Sequence, residues 1–208
     1  MTANEILKEL ESYADEQTKN TLIKHGAKEP FFGVKVQDLK KILKKTKKNH
    51  QLSLELYASG NSDAMYLAGL MADENQISRE QLEDWVKKAY WYYLSEYTVP
   101  WIAAETDFGF ELGLDWINSP KENIAAAGWS TLAYYSAVNE DENLDIETYI
   151  KLLKRVEKRD TRRSKQSEIC HEWFCDFCWN LCHGPYAKVK RSSRSYWQSG
   201  GRAGRNGL

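Results

Sequence analysis

The sequence predicts an all-α protein in which antiparallel helix pairs stack into an α-solenoid. Three observations point there. Apolar residues recur three and four apart through segment after segment. Those segments are bounded by capping residues and short turns. No run shows the strict alternation of a half-buried strand. No exact letter repeat accompanies the pattern, so the repeating unit is one of structure. Such a stack has a concave face, where an aromatic helix and the edge of a lysine-rich helix are expected.

The segment from Asn4 to His25 carries Ile6, Leu7, Leu10, Tyr13 and Ala14, then Leu22 and Ile23, which suits two short amphipathic helices ending at Gly26. The loop HGAKEPFFGVKV follows, and Pro30 and Gly33 bracket two phenylalanines expected to pack as a hydrophobic plug. Next comes a basic helix with Leu39, Ile42 and Leu43 as its apolar stripe and Lys40, Lys41, Lys44, Lys45, Lys47 and Lys48 around the remainder. Such lysines read either as a solvated face or as contacts to nucleic-acid phosphates, which neutralise charge without reading bases. Two apolar segments, His50 to Ala58 and Asp63 to Asp73, flank the turn SGNS with Gly60.

Ser78 and Gln81 form a capping box that opens the most aromatic stretch of the chain, WVKKAYWYYLSEYTVPWIAAE, from Trp85 to Glu105. Read as one helix, it puts Trp85, Tyr92 and Glu96 on one side and Trp91, Ser95 and Thr98 on a neighbouring one. Ring faces beside a carboxylate suit a planar or cationic partner, although aromatics at this spacing also serve as ordinary core. Pro100 is expected to kink or break the helix. Phe108 to Ile117 is a further amphipathic segment. Ser119-Pro120-Lys121-Glu122 reads as a helix start with Ser119 as cap, leading into NIAAAGWSTLAYYSAV, whose small residues permit close packing beside Trp129. Asp145 to Glu157 closes the series as another capped helix.

The chain has 208 residues, 42% hydrophobic, with a formal net charge of -1, values of an ordinary globular domain or short helical array. No apolar run reaches the roughly 18 residues that a membrane span needs, so no membrane partner and a cytoplasmic location are expected. The average charge conceals a split: residues 1 to 159 hold 20 Lys+Arg against 26 Asp+Glu, and residues 160 to 208 hold 9 against 4. All four cysteines lie in the second part, and the cysteine-free body fits a reducing compartment. Cys170, Cys175, Cys178 and Cys182 with His171 and His183 offer thiolates and imidazoles at short range, but only the central CxxC has zinc-site spacing. Neither a metal nor a cofactor is expected.

Three motifs, FFGVKVQDLKK, EDWVKKAYWYYLSEYTVPWIAAE and DWINSPKENIAAAGWSTL, resemble the DNA alkylation repair family of AlkD-like proteins, over roughly residues 5 to 158. The resemblance implies a HEAT/ARM-like superhelix and alkylated double-stranded DNA as partner. It also implies hydrolytic release of cationic N3- or N7-alkylpurines, the alternative being a non-catalytic helical scaffold that binds nucleic acid or protein. By gap-free register, the family's catalytic aspartate falls on Glu96 and its partner tryptophan on Tyr92. The resulting expectation gives Glu96 and Tyr92 the chemistry, Trp85, Trp91 and Trp129 the aromatic wall, and Lys40, Lys41, Lys44 and Lys45 the DNA backbone. The family's backbone-gripping arginine falls on Ala126, and Gln37 replaces a proline common in the first motif.

The implied organisation is one HEAT-like domain over 1–158 and an atypical tail over 159–208. The resemblance stops where the composition turns rich in Arg, Ser, Cys, Trp and Gly. Reading Glu168 to Cys175 one base later admits RYAMNGFV, similar to what the family carries next, so the tail is expected to be an out-of-frame ending.

Overall fold

The computed structural model describes residues 1–157, so the expectations for the zinc-like cysteines and the out-of-frame tail lie outside the described residues. Ten α-helices and no strand occur within that range: α1 (Ala3–Ser12), α2 (Glu16–Lys24), α3 (Val36–Thr46), α4 (His50–Ala58), α5 (Ser62–Met71), α6 (Arg79–Lys88), α7 (Val99–Ala104), α8 (Gly109–Trp116), α9 (Glu122–Val138) and α10 (Ile146–Glu157). A π-helical segment, Tyr93–Thr98, runs directly into α7. None of these helices is long and apolar enough to cross a membrane.

Side-chain caps fix most of the helix starts, because the first turn of a helix has backbone N–H groups with no partner of their own. Thr2 and Glu5 form a capping box on α1, Ser78 and Gln81 form the expected one on α6, and Asp15, Asn49 and Asn61 cap α2, α4 and α5. Asp145 accepts from the Thr148 amide at 3.0 Å at the start of α10. The start of α9 departs from expectation. Ser119 Oγ accepts from the Lys121 amide at 3.2 Å, and the helix begins at Glu122 with no side-chain cap. The serine's local turn competes for the same backbone and prevails.

The helices pair as α4 with α5 and α8 with α9, and α5, the Tyr93–Ala104 helix and α9 lie side by side in one row. Close approaches hold that row together and seat α8 against it. A Cβ on Gly69 would sit 2.5 Å from Thr98 Cγ2, and one on Gly128 would sit 2.5 Å from the Ile117 amide nitrogen. One apolar cluster runs from Ile6 and Leu10 in α1 to Ile124 and Ala127 in α9, and a second joins α8, α9 and α10 through Ile117, Trp129, Leu132 and Tyr149.

The reading of Trp85 to Glu105 as a single helix is corrected. Helix α6 ends at Lys88, Ala89 caps it with φ -71 and ψ 84, and the chain turns before the next helical residue, Tyr92. Pro100 does not break the second helix. In a regular α-helix its ring would press on the Glu96 carbonyl four residues back. The turn is widened here instead: the Val99 amide reaches the Leu94 carbonyl and Thr98 Oγ1 donates to the Tyr93 carbonyl at 3.0 Å, both five residues back.

Candidate functional site

The site begins with a clamp. Asp63, near the start of α5, accepts from the backbone amides of Phe32 at 2.7 Å, Gly33 at 3.0 Å and Val34 at 3.4 Å. Burial pushes its carboxyl up, and the three amides act in the opposite direction. Gly33 has φ +80, and a Cβ there would meet the Lys19 backbone at 2.8 Å, so this tight loop against α2 requires glycine. The loop carries Phe31 into a small core with Ala27 and Trp91; of the two phenylalanines expected to form one plug, Phe32 packs half-buried against the main core instead. Trp91 donates its indole N–H to the His25 carbonyl at 3.2 Å.

From Trp91 a continuous series of rings crosses the row of helices. Trp91 stacks on Tyr93 at 5.1 Å between centroids; Tyr93 meets Tyr97 at 5.4 Å and Tyr66 of α5 at 5.3 Å; Tyr97 meets Trp101 at 6.1 Å; Trp101 meets Tyr134 of α9 at 6.3 Å. Tyr92 joins edge-on to Tyr93 and Tyr97. Tyr92, Tyr93, Tyr97 and Trp101 are half-buried and the remaining members are buried. These spacings are those of favourable aromatic pairs.

Glu96 sits on the π-helical turn that carries this ladder and is only 6% exposed. Tyr92 is held above its ordinary value first by burial, then by Tyr93 and the Glu96 charge. Burial likewise pushes Tyr134 well up. The Trp101 N–H opposes that shift without reaching hydrogen-bond geometry, and Tyr97, Tyr66 and Glu96 add to it. The arrangement is therefore a carboxylate set among neutral phenols on a π-faced surface, suited to a planar cation or to positive charge developing beside it.

The expected residues are distributed unevenly. Tyr92, Trp91 and Glu96 come together on or under the ladder. Trp85 does not join them: it is buried, stacked on Tyr57 of α4 at 4.0 Å and 3°, and its carbonyl accepts from the Tyr57 hydroxyl at 2.8 Å. Trp129 is 2% exposed in the α8–α9–α10 core, with the Arg155 guanidinium 5.8 Å over its ring. The assignment of Trp85 and Trp129 to the aromatic wall is corrected, because core packing has consumed their faces. Ala126, onto which the resemblance places the family's arginine, is a buried residue of the same core cluster as Trp129.

On α3, Lys41 pairs with Asp38 at 2.7 Å and Lys45 with Glu9 at 2.6 Å, whereas exposed Lys44 has no ion-pair partner among the described residues; Lys40 is half-buried. Residues absent from the expected set are Tyr66, Tyr93, Tyr97, Trp101 and Tyr134. Tyr93, Tyr97 and Trp101 stand four apart, a stripe present in the sequence itself.

A cleft of about 630 Å³ adjoins the ladder at Trp101. It lies where α5, α7 and α9 end, with Leu70, Ala104 and Val138 among its walls. No group of three or more His, Cys, Asp or Glu residues able to hold a metal occurs among the described residues.

A family model described as DNA alkylation repair enzyme matches residues 6–159. The uncharacterized protein Lmo0209 of Listeria monocytogenes is 29% identical over 174 residues, covering 80% of this chain and 75% of that protein. Lin0241 of Listeria innocua, also uncharacterized, is 30% identical over 135 residues, covering 62% and 60%. A solved structure reported as a new family of proteins related to the HEAT-like repeat DNA glycosylases, with affinity for branched DNA structures, superposes with a TM-score of 0.81 at 33% identity, covering 85% of this chain and 75% of that one. With its helical stack matching that structure and its family motifs running through both the clamp and the ladder, the chain belongs to the DNA alkylation repair enzyme family and has a HEAT-like α-solenoid fold.

Proposed function

We propose that this protein binds damaged duplex DNA in the cytoplasm, places the lesion against the aromatic ladder, and hydrolyses the N-glycosidic bond of cationic N3- or N7-alkylpurines. The observation that carries the reading is the Glu96 carboxylate held on the turn that bears Tyr92, Tyr93 and Tyr97. Alkylation gives the purine a positive charge. When the C1′–N bond breaks, its electron pair passes to the purine and cancels that charge, while the sugar acquires oxocarbenium character. Glu96 stabilises the sugar cation electrostatically, water adds at C1′, and the proton of that water leaves to solvent through the carboxylate. Tyr92, kept neutral beside Glu96, supplies a ring face without a competing negative charge. Lys40, Lys41, Lys44 and Lys45 contact phosphate and set the position of the duplex.

Incubation with duplex DNA containing 7-methylguanine tests this. Wild-type protein is expected to release the base, and Glu96→Gln to slow single-turnover release by about 100-fold, the scale of losing one electrostatic stabiliser. No release by folded wild-type protein defeats the hydrolytic reading.

A second reading is DNA binding without bond cleavage. Ala126 favours it, since a buried alanine offers no grip at the position of the family's arginine, and so does the affinity for branched DNA of the similar solved structure. On that reading a four-way junction binds more tightly than a duplex of the same length, and Glu96→Gln leaves binding unchanged.

A further inference from the structure

We propose that the aromatic ladder is an electron-donor chain, one that returns an electron to a one-electron-oxidised guanine in bound DNA and leaves the hole as a neutral radical on Tyr92. The identity of the oxidant rests on the DNA binding proposed above and needs no hydrolysis. Composition is the first observation: each ring of the series is an indole or a phenol, although phenylalanine fills a core equally well. Indole and phenol give up a single electron far more readily than a plain benzene ring does. Spacing is the second. Trp101 lies 6.1 Å from Tyr97, and Tyr97 lies 6.4 Å from Tyr92 directly, or 5.4 and 5.9 Å by way of Tyr93. Rings at these centroid distances touch at edge or face, so a charge crosses in short hops with no gap to bridge.

The two ends of the path fix its direction. Trp101 is half-buried where it borders the cleft, so an oxidant outside the protein meets an indole, which reacts without first losing a proton. Tyr92 is half-buried as well, and its phenol has a route for a proton to water. Tyr66 and Tyr134 are buried, and burial holds their protons in place, so a hole there stays a desolvated cation and moves on. The Glu96 charge beside Tyr92 disfavours a phenolate and, by the same electrostatics, favours the loss of an electron. The step balances. One electron passes from Trp101 to the guanine radical cation, which becomes an ordinary neutral base. Trp101 takes an electron from Tyr97 and Tyr97 takes one from Tyr92, whose hydroxyl proton goes to water. A thiol reductant in solution restores Tyr92 with one electron and one proton. No base has to leave the stack.

The test uses the full chain in two arms. Azide radicals made by pulse radiolysis oxidise accessible indoles. In wild-type protein the indolyl absorption is expected to decay as a tyrosyl absorption grows, at a first-order rate that dilution leaves unchanged. Trp101→Phe keeps a ring in place and leaves Trp173, Trp179 and Trp197 unaltered as background; with an intact melting curve, it is expected to lose this phase. Tyr92→Phe is expected to remove more than half of the tyrosyl EPR signal after freeze-quenching. In the second arm a ruthenium complex tethered to a duplex is flashed with a cobalt(III) quencher, and strand cleavage at guanine is measured after piperidine treatment. Wild-type protein is expected to lower that cleavage by more than half, and Trp101→Phe to lose the protection. Absence of the dilution-independent phase, its persistence in Trp101→Phe, an unaltered signal in Tyr92→Phe, or undiminished cleavage of bound duplex overturns the chain. A gel shift on the same duplex tells the failures apart. No shift rejects the DNA binding proposed above and guanine as the oxidant with it, whereas a shift without protection rejects the electron transfer alone.

Discussion

Asp63 shows what a single side chain contributes to this site. Replacing it with alanine leaves the amides of Phe32, Gly33 and Val34 without their acceptor, two of them buried. Asp63→Ala is expected to cost about 3 kcal/mol in denaturant unfolding and to loosen Trp91, since Phe31 packs from the same loop. A second carboxylate gives a pH signature. Asp15 caps α2 and pairs with Lys35, and its pKa falls from 3.8 to about 2, chiefly through its hydrogen bonds to Thr18. A depressed carboxylate stabilises the fold above its unfolded value, and that contribution disappears as pH falls through the folded one. Stability should therefore decline between about pH 4 and pH 2 with a slope that Asp15→Asn flattens, while the Asp15 carboxyl titrates near 2 by NMR. Asp63, with its raised pKa, has the opposite sign: it favours the folded state at low pH and loses that contribution as pH rises through its folded value.

At the scale of elements, the packing of α5 against the π-helical turn is open to a direct test. Gly69→Ala places a methyl group against Thr98 Cγ2, on a buried, β-branched side chain whose hydroxyl is already bonded to Tyr93. It is expected to destabilise by about 1–3 kcal/mol, despite the better helix propensity of alanine. Adding Thr98→Ser removes the obstructing methyl and should recover most of the loss in a double-mutant cycle.

These elements also show what could be read from letters alone. The capping box at Ser78 and the helix following Asp145 were legible because each depends on residues close in sequence, whereas the partner of Phe31 in its plug, Trp91, comes from far along the chain. Trp85 and Trp129 were not, since spacing reports which residues share a face and leaves open whether another helix covers it. Tyr57 and Arg155 are the residues that cover them. The ladder was half legible: its stripe is regular, but the stripe begins only after the break at Ala89, which the aromatic run conceals.

Taken as a whole, the molecule presents fewer available lysines than its sequence implies. Lys41, Lys45 and Lys48 are engaged by Asp38, Glu9 and Glu74, so phosphate must compete with carboxylates already in place. Binding to duplex should show a shallower dependence on salt than four free phosphate contacts, each worth a slope of about 0.9 in log–log form. Glu9→Gln releases Lys45, and should both tighten binding at low salt and steepen that slope.

The widened turn at Tyr93–Thr98 amounts to one extra residue wound into an otherwise regular helix. Each residue of an α-helix advances the azimuth by about 100°. Deleting a single residue from this segment would therefore return the helix to ordinary winding and leave the part after it close to its present azimuth, because the lost step of about 100° is the one the wide turn absorbs. The cost falls on Pro100, whose ring would be driven into the carbonyl of the preceding turn once the wide turn no longer makes room for it. The helix thus tolerates substitution along this turn far better than any change in its length.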